Sequence, residues 1–129
     1  MKGSVNIEKS ISINFSFYSK TKKDFNIQGI TNMMEIKPTE SATKTRWDLK
    51  FKEKNCDDIS KLFDKVYDVL FIKADMINAL CNHLDVDVDF TITIHTKYKD
   101  IPLIQIPKNF ISFIALINAQ IRTDFYFYN

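Results

Sequence analysis

The sequence predicts a two-layer α+β fold, a mostly antiparallel sheet of about five strands with helices packed on one face. Three observations lead there. Several stretches alternate apolar and polar residues with a period of two, the signature of strands that bury one side. Between them run apolar stripes at spacings of three and four, the signature of helices that bury one side. Because most strands are apolar on one side only, the sheet is expected to be largely antiparallel with a solvated face. At 129 residues the chain is expected to form one α+β domain, 1–129, around a single core.

The first strand places Ile11, Ile13, Phe15 and Phe17 on one side and Ser12, Asn14, Ser16 and Tyr18 on the other. Val5 and Ile7 keep the same parity, so this strand is expected to begin near residue 4. After a lysine-bearing turn, Ile27, Ile30, Thr31 and Met34 fit a short helix that Pro38 ends. Trp47, Leu49 and Phe51 alternate with Asp48 and Lys50 in a second strand, and that parity puts Trp47 in the core. Asp57 or Asp58 can cap a helix with the stripe Ile59, Leu62, Phe63, Val66 and Leu70. A second stripe, Met76, Ile77, Leu80, Cys81 and Leu84, follows a break expected near residues 72–74.

The cleanest alternation in the chain runs from Asp85 to His95, with Asp85, Asp87 and Asp89 set against Val86, Val88 and Phe90. It predicts a strand with an acidic, polar side. Residues 102–107 can hold only a short edge strand, because Pro102 and Pro107 each remove a ladder donor. Asn109 can cap a last helix with Phe110, Ile111, Phe113, Ile114 and Ile117 on its apolar side. A final strand then sets Ile121, Phe125 and Phe127 against Arg122, Asp124, Tyr126 and Tyr128.

Composition narrows the function by exclusion. With 18 basic against 16 acidic residues the net charge of +2 does not indicate a nucleic-acid partner, and no basic tail is present. The longest apolar run, residues 110–119, is interrupted by Ser112 and Asn118 and falls short of the roughly 18 residues of a membrane span. The polar start of the chain has no signal-peptide core, so a soluble cytoplasmic protein is expected. Gly3 and Gly29 are the two glycines in the sequence. Phosphate loops, dinucleotide fingerprints and nucleophile elbows each need several glycines close together, so none can be built.

Chemical constellations fare no better. Two carboxylates two apart on a strand could share a hydrated metal, but the further oxygen ligands and the glycine-rich phosphate element are missing. Cys81, His83 and Asp85 name a nucleophile, a base and an orienter, yet they straddle a helix end and a strand start where they would not converge. Cys56, Cys81, His83 and His95 lack zinc-site spacing, and the two cysteines are expected as reduced thiols. Lys20, Lys22 and Lys23, with Lys97 and Lys99, read as solubilising turns, with no stacking aromatic motif beside them.

The polar parity of all the strands together collects Tyr18, Asp48, Lys50, Asp87, Asp89, Thr91, Thr93, His95, Arg122, Asp124, Tyr126 and Tyr128 on one sheet face. Tyrosine with mixed charge suits recognition, giving large contact area at low entropy cost. An ordinary solvated sheet face would carry the same residue types.

An alternating first strand with a short helix ending near Ile36, Lys37, Pro38 and Thr39 is followed by the strand Trp47, Asp48, Leu49. Central amphipathic helices come next, and Ile106, Pro107 and a helix lead to Asp124, Phe125 and Tyr126. Over nearly the whole chain these features resemble the bacterial domain-of-unknown-function family 4279. That family has no known catalytic residues, so the resemblance transfers none. In size and class the chain also looks like the small immunity proteins of bacterial toxin systems, including contact-dependent growth inhibition, which bind one toxin domain and block it.

The expectation is therefore a non-enzymatic binding protein, an immunity protein that neutralises a cognate toxin domain, with no catalytic residue, cofactor or metal. Tyr18, Asp48, Asp87, Asp89, His95, Arg122, Asp124, Tyr126 and Tyr128 are the expected partner-binding residues. Their acidic stripe would suit a basic nuclease toxin. A metal-dependent enzyme acting on phosphate-containing substrates and a weak nucleic-acid-binding module are the alternatives.

Overall fold

A computed structural model describes residues 9–39, 45–54 and 58–128, the side chain of Lys54 excepted. Its strands are β1 (Ser10–Tyr18), β2 (Arg46–Lys54), β3 (Asp87–Lys97) and β4 (Gln120–Tyr128). Its helices are α1 (Ile27–Met34), α2 (Ser60–Leu70), α3 (Ala74–Leu84) and α4 (Lys108–Leu116). Val5, Ile7, Cys56 and Asp57 lie outside the described residues.

The fold is α+β, and among the described residues its sheet is mixed, with four strands in the order β2-β1-β3-β4. Both neighbours of β1 run antiparallel to it, whereas β4 runs parallel to β3. The expectation of about five mostly antiparallel strands fits roughly, with two of the three pairings antiparallel and one parallel. One-sided alternation reports that a face is solvated and says nothing of direction. The connection from Lys97 to Gln120 carries α4, which is the crossover a parallel neighbour needs. Residues 102–107 join no ladder, as Pro102 and Pro107 bracket the segment without amide donors.

The core sits between the apolar sheet face and the helices. Ile11, Ile13, Phe15 and Phe17 are fully buried, as are Trp47, Phe90, Ile92 and Ile94 opposite or beside them. Phe15, Phe17 and Trp47 meet edge to face, and Phe90 meets Phe110 of α4, which in turn meets Phe63 of α2. Each such side chain contributes roughly 1.5–3 kcal/mol of burial, and the aromatic pairs add to it. The Trp47 indole N–H donates to Thr31 Oγ1 at 3.0 Å, which satisfies the one polar atom of that ring and ties α1 to β2.

Helix ends show how a chain with so few glycines turns. Glu35, Asp85 and Asn118 take the left-handed conformation, with φ of 57°, 55° and 53°, at the ends of α1, α3 and α4. Glycine usually fills that role. In α4 the closing bonds run from Asn118 N–H to the Ala115 carbonyl and from Ala119 N–H to the Ile114 carbonyl. Helix α1 thus ends at Met34, ahead of Pro38. Asp85 is the residue that closes α3, so β3 starts at Asp87 and not at Asp85.

Smaller departures have local causes. Asn26 caps α1 by accepting from Gly29 N–H at 2.9 Å, and a Cβ on Gly29 would collide with that side chain. Asp58 accepts from Ser60 N–H, as a residue opening a helix should. The break expected at residues 72–74 is a tight turn, Phe71–Lys73, that joins α2 to α3, with Lys73 stepping out of the helical region at φ −99° and ψ 7°. Asn109 lies inside α4, which Pro107 precedes, and Ile111 is 52% exposed.

Candidate functional site

The period of two places the polar residues of all four strands on one face. Across the sheet, Tyr18 lies between Arg46 and Asp87, Ser16 between Asp48 and Asp89, and Asn14 between Lys50 and Thr91. Strand β4 extends these rows with Arg122 beside Thr91, Asp124 beside Thr93, Tyr126 beside His95 and Tyr128 beside Lys97. Every expected partner-binding residue therefore shares one face. They do not form one site.

Around β1 and β2 the polar groups are bound to one another. Asp48 Oδ1 accepts from Asn14 Nδ2 at 3.0 Å, from Arg46 Nε at 3.0 Å and from the Ser16 hydroxyl. Ser16 Oγ in turn accepts from Asn14 Nδ2 and Arg46 Nη2, both at 2.9 Å. A hydroxyl has one proton and two lone pairs, so that of Ser16 is fully used. Arg46 Nη2 also lies 3.7 Å from Asp89 Oδ1. Arg46, Asn14 and Ser16 were not singled out by the sequence as functional, although their parity with Asp48 and Tyr18 was visible.

Asp89 is the strained member of this group. Burial pushes its carboxyl upward, and Asp48 adds to the effect, while Arg46 and Arg122 oppose it. Its Oδ1 and the Thr91 hydroxyl are buried without a hydrogen-bond partner. A hollow of about 200 Å³ opens at Thr91, lined also by residues that include Asn14, Arg46, Asp48 and Arg122.

At the same end of the sheet Lys20 Nζ lies 3.1 Å from Asp87 Oδ2, and that contact raises the lysine's own pKa. Tyr18 is pushed up first by burial and then by Asp87 and Asp89. The acids expected to form an outward stripe are thus answered from within the chain: Asp87 by Lys20, and Asp48 and Asp89 by Arg46. Asp85 is not part of the strand at all.

The β4 half is open. His95 and Arg122 are exposed, Tyr126 is 53% exposed, and Asp124 and Tyr128 are half-buried. The His95 and Tyr126 rings stack with centroids 5.0 Å apart. On the opposite side of β4, Phe125 and Phe127 were expected in the core. They are 39% and 48% exposed, because α4 packs over β3 and α2 and leaves the end of β4 uncovered. Tyr98 packs on Phe127 there.

Among the described residues, no three His, Cys, Asp or Glu side chains are grouped to hold a metal. Cys81 is a half-buried free thiol pushed up to about 11 by its surroundings, far from the thiolate a nucleophile needs. No helix among the described residues is long and apolar enough to cross a membrane.

Comparison with curated proteins and with solved structures finds no match. One family matches, described as Domain of unknown function (DUF4279), over residues 41–128. The match leaves out β1 and α1, on which part of the sequence resemblance rested. Yet β1 is the strand that joins β2 to β3, so the sheet is not closed by the matched residues alone. With the match spanning well over half of its length, the chain belongs to the DUF4279 family.

Proposed function

We propose that this chain is a non-enzymatic binding protein that docks a protein partner on the open face of its sheet, as an immunity protein docks its cognate toxin domain. The observation that carries the reading is the contrast within that face. Its β1–β2 half is a closed hydrogen-bond network, while its β3–β4 half offers His95, Tyr126 and Tyr128 on a rigid strand pair. A satisfied network holds shape, and aromatic groups at its border supply contact area.

The enzyme reading draws less support, because Ser16 has no lone pair left to attack and Asp48 no free oxygen at Oδ1. The partner need not be strongly basic, since the carboxylates of Asp48, Asp87 and Asp89 already have counter-charges. A cytoplasmic toxin domain with an apolar patch and a mixed-charge rim fits the surface better than a purely cationic one.

The test is protection in living cells. The chain is co-expressed with the toxin candidate encoded by the adjoining reading frame, and growth and co-purification are measured. The wild-type chain should restore growth and co-purify in fixed stoichiometry. A folded His95→Ala/Tyr126→Ala variant should lose affinity by about tenfold to a hundredfold. A wild-type chain that neither binds nor protects would refute the immunity reading, and an unaffected double variant would move the interface off this face.

A further inference from the structure

The two edges of the sheet are treated differently. The outer edge of β2 is blunted: Thr39 N–H donates to the Asp48 carbonyl at 3.0 Å, and Lys50 N–H donates to Thr39 Oγ1 at 2.8 Å. Lys50 and Lys52 stand along the same strand. Both devices discourage another strand from adding there. Strand β4 has neither. It contains no lysine and no proline, pairs on one side only among the described residues, and is exposed or half-buried along its whole length. Nine residues of flat, aromatic edge invite pairing.

We propose that β4 is a dimerisation edge, with two copies of the chain pairing their β4 strands antiparallel about a two-fold axis at Thr123. The sequence of the strand is self-complementary in that register. Arg122 falls opposite the second copy's Asp124 on the polar face, twice over by symmetry, and Ile121 falls opposite the second copy's Phe125 on the other face. Thr123 meets its own copy, and Gln120 meets Tyr126. Side chains directly opposite in an antiparallel pair lie about 4.5–5.5 Å apart at Cβ, close enough for each of these pairs to interact. Centring the axis on Asp124 would set the two carboxylates against each other.

Parity restricts the choice further. A slip by one residue would set apolar side chains opposite polar ones. The two-fold axis is perpendicular to the sheet, so both helix layers stay on one side and both polar faces join into one surface. The same register carries the exposed Phe127 toward the end of the second copy's α4, where Leu116 is 52% exposed. His95, Tyr126 and Tyr128 stay on the joined polar face, so a paired chain still presents them to the partner proposed above.

The experiment uses the purified full chain with no partner present, and reads mass by light scattering across the micromolar range. The wild-type chain should approach twice its 15.1 kDa. Arg122→Asp and Asp124→Arg each set like charges opposite one another and should weaken association by about tenfold or more, while circular dichroism stays native. The double exchange Arg122→Asp/Asp124→Arg restores opposite charges and should restore the dimer. A wild-type chain that stays monomeric throughout overturns the proposal. A dimer indifferent to both single changes, or one not rescued by the double exchange, overturns this edge and register.

Discussion

Strands β2 and β4 occupy the two ends of one sheet, and almost everything that is settled in β2 is left open in β4. Trp47 of β2 is fully buried, and its indole nitrogen is satisfied by Thr31. Arg46 and Asp48 are locked into a network with Asn14 and Ser16, and the outer backbone is clipped by Thr39. In β4 the aromatic residues Phe125, Tyr126 and Phe127 are all at least 39% exposed. The difference teaches where the molecule invests its stability and where it keeps surface for others.

That division makes substitutions at matching positions unequal. Trp47→Ala should cost about 3–5 kcal/mol in urea unfolding, since it opens a cavity beside Phe15 and Phe17 and removes the indole's bond to Thr31. Phe127→Ala should cost far less, because about half of the side chain is already in water. Equal losses at the two positions would break the comparison.

The polar face should show the same asymmetry at smaller scale. Asp48→Ala removes the acceptor of three donors and should destabilise by about 1–3 kcal/mol. Asp124→Ala should stay within about 0.5 kcal/mol for the unfolding of the monomer, as surface changes do. Denaturant midpoints of the two variants, measured at low protein concentration, decide the matter.

Asp89 gives the opposite sign. Its folded-state pKa is raised by burial, so the ionised form costs stability at neutral pH. Stability tied to this group should rise as pH falls through that raised value and level off below the unfolded carboxylate range. Asp89→Asn should therefore melt higher than wild type at pH 7, with the gap closing near pH 3 as both states of the wild type protonate. A lower melting temperature for the variant at pH 7 would mean that the Arg46 contact outweighs the cost of burial.

A modest effect concerns the end of α1. Glu35→Gly relieves a left-handed side-chain position but gives up a 3.7 Å contact with Lys73 through a carboxylate that is mostly in water. A gain of roughly 0.5–1 kcal/mol is expected, readable as a shift in melting temperature.

Much of this was legible from alternation. The parity of Ile11 to Phe17, Trp47 to Phe51 and Val88 to Ile94 assigns the core face correctly, because a residue's side of a strand is a local property. It also puts all nine expected partner-binding residues on one face. Direction and pairing were not legible, because β4 can alternate equally well beside β3 in either direction, and only the α4 crossover sets it parallel. Charge balance on the face was missed for a similar reason. Asp87 looks free in sequence until the turn after β1 brings Lys20 against it, and Asp89 until pairing brings Arg46 across from β2.

In the sequence, the end of α1 is assigned to Pro38, and Asp85 is placed in a strand by alternation alone. Glu35 and Asp85 take positive φ without any sequence signal, which moved the end of α1 away from Pro38 and took Asp85 out of β3. The exposure of Phe125 and Phe127 was hidden as well. Apolar parity shows which face a side chain occupies but not whether a helix covers that face.

The most direct measurement on the unfinished edge is amide hydrogen exchange, followed strand by strand over a range of protein concentrations. The outward-facing amides of β4 should slow as concentration rises, while those along the outer edge of β2 keep the same rates. Exchange in β4 that does not change with concentration would contradict the claim that this edge is kept open for pairing.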